Sequence, residues 1–531
     1  MTSPQSIPSR APWHTRIRSS YAIGLLALLL AAPLLVVLSS PLHIAAPEWA
    51  FVAGELLPEL LGETLLLLAA VLVVALCIAV PSAWLVTQFS FPGSRFFRWA
   101  LVMPLALPTY ISAYAYAALL GPTGELARWS DAHLGFRPDI VGLPGLSVVL
   151  ALVLFPYIYL PARAAFTKGI GSQMDAARML GAAAPRRFHR IALPLARPAI
   201  AGGALLLAME TLNDYGAVKY FGVRTLTTGI FRSWGGLYDL GSALRIGILM
   251  LALVAVLIAV ERRSRKQQRS TTDQVPIRPK ALGGKHAAAA TAWCTLVLLL
   301  GAGLPMANIL RDVLGGAEAG TWQNLLAAAG NTLQLAAMAA AFTLLVALLF
   351  AYRERHGRGN KLLMRVADLG YAIPGAVIAV GAMALAGAID QRSWFQFALI
   401  GSMGLLTYAY VVRFLAVGTQ PLYGALRQQA PALDDAARLL GASPWRTFSR
   451  INLPLLRPAL LAAAMLVAID VIKELPLTLI LRPFDFNTLS TRTYELATIE
   501  QLREASWPAL LIVLCGLVPV LVLERVLGRR G

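Results

Sequence analysis

Charge is scarce in this sequence. Asp, Glu, Lys and Arg make up 14% of its 531 residues, 58% are hydrophobic, and the mean hydropathy is +0.66. A soluble domain needs more polar surface, so the composition points to repeated membrane spans. Cysteine is rarer still. Cys77, Cys294 and Cys515 stand far apart in apolar stretches, which leaves neither a disulfide framework nor a metal motif; they read as small buried residues. The six histidines are scattered and lack metal-ligand spacing. No stretch reads GxxxxGK[ST]. The nearest, Gly283-Gly284-Lys285-His286, lacks both the spacing and the hydroxyl, so the chain is not expected to bind ATP or act as an enzyme.

Acid is the scarcer sign, with 27 Asp and Glu against 46 Lys and Arg and a net charge of +19. Such an excess can mean nucleic acid, but its placement argues otherwise. Apolar stretches suggest six spans near 20–39, 62–88, 97–120, 143–162, 199–212 and 242–260. Six more lie near 289–310, 331–352, 364–388, 395–412, 459–472 and 508–525. Prolines within them do not veto the assignment, because neighbouring helices can satisfy the freed backbone. With the N-terminus inside, the inner segments hold 34 of the 46 basic residues, a positive-inside asymmetry. These segments include Arg10–Arg18, the 261–287 stretch, Arg353–Arg365 and the tail from Arg525 to Arg530. The first apolar stretch is longer than a signal-peptide core and lacks a clear cleavage site, so it is taken as a retained span. Both termini are then cytoplasmic, and no nucleic-acid partner is expected.

One pattern is written twice. Residues 175–198 read DAARMLGAAAPRRFHRIALPLARP and residues 435–458 read DAARLLGASPWRTFSRINLPLLRP, with 16 of 24 positions identical at an offset of 260 residues. The offset recurs elsewhere: Glu210 and Asp214 follow the first copy as Asp470 and Glu474 follow the second. The charged stretch 261–287 carries Pro and Gly and lacks apolar periodicity. We therefore divide the chain into a first half, 1–260, a basic cytoplasmic linker, 261–287, and a second half, 288–531. The expected fold is an all-α polytopic membrane protein of two homologous six-helix halves, about twelve spans. Six spans separate the repeated loops, so the halves are parallel repeats with a path between them.

In the second copy, Asp435, Ala436 and Ala437 suit a short helix with acid near its positive end, and Gly441 ends it. Ser443-Pro444 opens another as N-cap and N1. Trp445, Phe448 and Ile451 form an apolar ridge, and Leu453-Pro454 is expected to stop the helix before the next span. The first copy places Asp175, Ala176, Ala177, Gly181, Phe188, Ile191 and Pro194 against Asp435, Ala436, Ala437, Gly441, Phe448, Ile451 and Pro454. Such a ridge either packs under its own bundle or docks on a partner; duplication favours two identical partner surfaces.

DAAxxLG followed by FxRIxLPLxRP resembles the EAA loop of ATP-binding-cassette importer permeases, with Asp175 and Asp435 replacing the usual leading Glu. The segments 209–234 and 470–497 resemble the fused two-domain permeases of bacterial ferric-iron importers. The resemblance implies a bacterial inner-membrane permease whose loops couple to two copies of an ATP-binding subunit. ATP and Mg would reside on those subunits, with no cofactor on this chain. It also implies a ferric-iron type extracytoplasmic solute-binding protein that delivers cargo; Arg224 and Arg482, in the expected outer segments, are candidates to face it. Membrane lipid is the remaining partner.

Ferric iron is a hard cation that prefers oxygen donors. Glu210 and Asp214 share a helix face at i, i+4, as do Asp470 and Glu474, and Tyr110 and Tyr114 repeat that spacing. Acids at membrane depth suggest a substrate path. A structural or gating role fits them too and weighs more, with Lys473 adjacent to Glu474; the tyrosines also suit packing or anchoring. Thiamine or a phosphonate are alternative cargoes, and an ion-gradient-driven secondary transporter is the rival class.

Overall fold

A computed structural model of the chain describes residues 13–167, 171–265, 279–317, 322–355, 370–392 and 398–516. The middle of the linker (266–278), the basic run from Arg358 to Arg365, the starts of the spans expected at 364 and 395, and the tail with Arg525, Arg529 and Arg530 lie outside these residues.

Hydrocarbon offers the backbone no hydrogen-bond partner, so a chain this apolar must satisfy its own amides within each segment. Among the described residues, seven helices are long and apolar enough to span a membrane, or nine if each of two bent pairs counts as one span. Leu65, Val73, Val256, Leu333 and Leu345 are exposed on these helices, as lipid-facing side chains would be. The protein is an all-α polytopic membrane protein. Among the described residues one small sheet pairs Phe89–Ser90 in parallel with Lys280–Ala281.

Proline shapes the spans in two ways. The span expected at 97–120 is broken: Ser94–Ala106 and Thr109–Leu134 meet at 90°. Pro108 pushes Leu107 into an extended conformation (φ −90°, ψ 125°), which a helix cannot continue through. A milder 44° bend separates Leu143–Leu154 from Pro156–Thr167. In contrast, Leu57-Pro58, Leu193-Pro194, Leu304-Pro305 and Leu453-Pro454 each follow a five-residue π turn and do not interrupt the rod. Widening the turn carries the helix past a residue that has no N–H. The expectation that Leu453-Pro454 stops the helix is therefore corrected. The fifth spans are also longer than expected, running unbroken over Pro185–Asn213 (29 residues) and Pro444–Lys473 (30 residues).

The first helix crosses over. Trp13–His43 packs more extensively on Gly375–Asp390 than on any helix of residues 1–260. A Cβ on Gly381 would lie 2.5 Å from the Pro33 carbonyl oxygen, so this crossing requires glycine. In the same way, Gly284–Leu314 lies against Thr109–Leu120 and Leu143–Leu154, with Gly301 touching Leu152 and Pro104. Two helix pairs pack extensively elsewhere: Leu193–Asn213 on Pro156–Thr167, and Leu453–Lys473 on Met403–Gln428.

Candidate functional site

The helices Pro185–Asn213 and Pro444–Lys473 each begin at a repeated loop and end at a common cavity. The loops come first in the chain. Gly171–Met179 and Pro431–Leu439 are short helices closed by Gly181 (φ 74°) and Gly441 (φ 77°). In both, the glycine N–H donates to the carbonyl of Arg178 or Arg438, and the next N–H donates to Ala177 or Ala437. This is the Schellman closure, and its left-handed residue favours glycine. Ser443 accepts from the Arg446 N–H as the expected N-cap.

Phe188 and Phe448 turn inward, whereas Trp445 of the ridge stays 65% exposed. Phe448 is buried 4.9 Å from the Tyr352 ring, and Phe188 lies 4.9 Å from Trp84, so both aromatics anchor the elbow to its own bundle. Ala177 and Ala437 are buried as well. Most exposed on the loops are Met179 (90%), Leu180 (87%), Leu439 (89%) and Leu440 (88%). These four immediately precede the two glycines, and that place is the one sequence signal of their exposure. Asp175 and Asp435 pair only with Arg178 and Arg438 one turn on, at the surface. Asp434 is different: it is buried, 2.6 Å from Arg355 Nε, and also accepts from Asn452. Arg355 donates further to the carbonyls of Leu426, Gln429 and Ala430, which ties the loop to the end of Trp322–Arg355.

At the other end, Glu210, Asp214, Asp470, Glu474 and Tyr110 all line one cavity of about 120 Å³. Tyr157, Tyr371, Arg413, Asn213 and Lys473 complete its polar wall. The structure thus brings five of the six path candidates together. Tyr114 stands apart: its hydroxyl donates to the Gly216 carbonyl at 3.5 Å and its ring packs on Tyr220.

The four acids are not equivalent. Asp214 follows its helix directly and accepts from the N–H groups of Ala217 (2.9 Å) and Val218 (3.4 Å). Glu474 does the same for Leu477 and Thr478, and takes a bond from the Tyr410 hydroxyl. Both therefore cap the short helix that follows. Glu210 accepts from the Tyr371 hydroxyl at 3.3 Å. Asp470 makes no hydrogen bond among the described residues. Two bonds cross between the halves at matching positions: the Gly375 N–H donates to Asn213 Oδ1 (2.8 Å), and Lys473 Nζ donates to the Leu105 carbonyl (2.7 Å). Among the described residues no three His, Cys, Asp or Glu converge closely enough to hold a metal ion.

A second cavity of about 410 Å³, lined by Glu59, Lys219, Arg224 and Arg232 among others, opens at the end remote from the loops. Tyr215 lines both cavities. Its ring stacks on Phe231 at 3.6 Å and its hydroxyl accepts from that of Tyr494 at 3.2 Å. The two outer arginines are engaged within the chain, Arg224 with Glu59 and Arg482 with Glu495. Tyr157, Tyr371, Arg413 and Tyr215 escaped the sequence reading because none belongs to a repeated pattern; only the fold brings them together.

Residues 297–530 match the family of binding-protein-dependent transport system inner membrane components. The chain is 25% identical over 476 residues to the Fe(3+)-transport system permease protein FbpB 2 of Haemophilus influenzae, covering 88% of this chain and 90% of that one. It is 24% identical over 396 residues to a putative ferric transport system permease protein, FbpB 1, of the same organism, covering 68% of this chain and 60% of that protein. The ferric transport system permease protein FbpB of Actinobacillus pleuropneumoniae is 24% identical over 404 residues, covering 68% of this chain and 56% of that one.

Proposed function

We propose that this chain, which carries an ATP-binding-cassette importer permease domain and is homologous to ferric-iron transport permeases, forms the whole translocation path of a ferric-iron importer. In this reading two six-span halves meet at the acidic cavity. Each repeated loop seats in one of two ATP-hydrolysing partner subunits, which carry the ATP and Mg. A solute-binding protein delivers cargo at the face remote from the loops. That face is extracytoplasmic, and the termini are cytoplasmic in a bacterial inner membrane.

The observation that carries the proposal is the continuity of two rods. Pro185–Asn213 and Pro444–Lys473 run from the loops to the cavity as single helices of 29 and 30 residues. At ~1.5 Å per residue each is about 45 Å long. A helix is stiff along its axis, so displacing Leu180 or Leu440 by the partner moves Glu210 and Asn213, or Asp470 and Lys473, at the far end. Movement of the two rods apart would open the cavity toward one face while Tyr215, stacked on Phe231 and bonded to Tyr494, closes the other.

The wall supports ferric iron as cargo: four carboxylates and the phenols of Tyr110, Tyr157, Tyr215 and Tyr371 are hard oxygen donors. The absence of a converged three-ligand site among the described residues suits passage better than storage, since a path must bind weakly enough to release. The test presents ferric iron, thiamine and a phosphonate side by side to the reconstituted complex with ATP. Accumulation of iron alone supports the proposal. Accumulation of thiamine or the phosphonate instead would keep the permease and replace its cargo.

A further inference from the structure

Lys473 sits where the two halves are otherwise matched. The position 260 residues earlier is Asn213, and both side chains make a hydrogen bond across the seam, Asn213 with the Gly375 N–H and Lys473 with the Leu105 carbonyl. Asn213 makes its crossing without charge, so the crossing alone does not explain an ammonium at this depth. The charged groups around Lys473 are Asp470 on its own helix and Glu210 on the opposing one, while Arg413 lies across the same cavity. Glu474, and Asp214 through its Oδ1, are already committed to backbone N–H donors, while Asp214 Oδ2 has no partner among the described residues. Glu210 has only the Tyr371 phenol, and Asp470 has no hydrogen bond among the described residues. Two carboxylates without backbone donors thus share the cavity with one tethered ammonium, and Arg413 is a second cation acting on Asp470.

We propose that Lys473 is a built-in counter-cation of the path, standing in for cargo between Glu210 and Asp470 and giving up both that place and its bond to Leu105 when a cargo cation arrives. The inference rests on the cation-path reading above. A tethered ammonium competes at high effective concentration, so its removal strengthens cation binding. A lysine that served only to hold the fold would do the opposite.

The test measures equilibrium binding of Ga(III), buffered with citrate, and of Mn(II) to the full chain with its ATP-hydrolysing partner and without ATP. Wild type is compared with Lys473→Asn, the second uncharged variant Lys473→Gln, and Lys473→Arg. We expect Ga(III) to bind about tenfold tighter in the uncharged variants and as in wild type in Lys473→Arg. Mn(II) gains by the same factor, because a displaced ammonium is lost once whatever cation replaces it. Unchanged or weaker binding in both uncharged variants would overturn the proposal. So would a gain growing steeply from Mn(II) to Ga(III), which marks an ammonium that stays in place and repels. Absence of saturable binding of either ion in every form would overturn the cation path itself.

Discussion

The Tyr408 hydroxyl donates to the Leu29 carbonyl at 2.5 Å, joining the second half of the chain to its first helix. Pro33 has no N–H, so Leu29 is the carbonyl that the helix leaves without its i+4 donor. Tyr116 treats the Leu300 carbonyl in the same way; Pro305 is the residue whose N–H is missing there in the π register. Each crossing helix is therefore held by a tyrosine aimed at a proline-freed carbonyl. Tyr408→Phe is expected to destabilise the protein by about 1–3 kcal/mol, the range for a polar group left unpaired away from water, because Leu29 is exposed on a span where lipid supplies no replacement donor. Thermal unfolding in detergent, with limited proteolysis of the first helix as a second readout, checks this.

At the loop glycines the expected outcome depends on charge more than on size. A Cβ on Gly181 or Gly441 meets nothing within 4 Å, and only the positive φ disfavours a side chain. Asn tolerates that conformation better than most residues. Gly181→Asp and Gly441→Asp should abolish uptake while the chain still inserts, because they place a carboxylate beside the exposed leucines. Gly441→Asn should keep part of it. Normal ATP-driven uptake in both Asp variants would refute the coupling role of the loops.

Inward and outward residues of the same loop should separate cleanly. Phe448→Ala is expected to lower stability by about 3–5 kcal/mol, because it empties a buried aromatic site. Leu440→Asp, at an exposed tip, should leave thermal stability unchanged and lose co-purification of the ATP-hydrolysing subunit. Reversal of these two phenotypes would show that the ridge, rather than the tip, meets the partner.

Tyr215 divides the two cavities. Tyr215→Ala removes the stack on Phe231 and the bond from Tyr494 together, and is expected to make proteoliposomes leak small cations without ATP. Tyr494→Phe removes only the hydrogen bond and should leak less. Dye-quench measurements on sealed vesicles give the order.

Much of this was legible in the sequence, and the residues show why. Gly181 and Gly441 each end a DAARxLG stretch of helical character, so their capping role could be read from local rules. The i, i+4 spacing of Glu210 with Asp214 and of Asp470 with Glu474 placed the acids at one helix end, and the fold joins both pairs in one cavity. Their division of labour was hidden. Asp214 and Glu474 prove to be caps only once the following backbone is seen to turn toward them. Proline misled in both directions: Pro108 breaks a rod that hydropathy alone reads as continuous, while Pro454 passes within a rod that it was expected to end, as its counterpart Pro194 also does. The inward turn of Phe188 and Phe448 depends on Trp84 and Tyr352, about a hundred residues away in sequence, which no local pattern encodes.

The most direct test of the account is radiolabelled ferric-iron uptake by iron-starved cells, measured with and without this chain and again with the partner ATPase disabled. The account predicts that uptake is lost in both cases. Uptake that persists without the chain would contradict iron as its cargo, and uptake that needs the chain but survives loss of ATP hydrolysis would contradict the coupling on which the account rests.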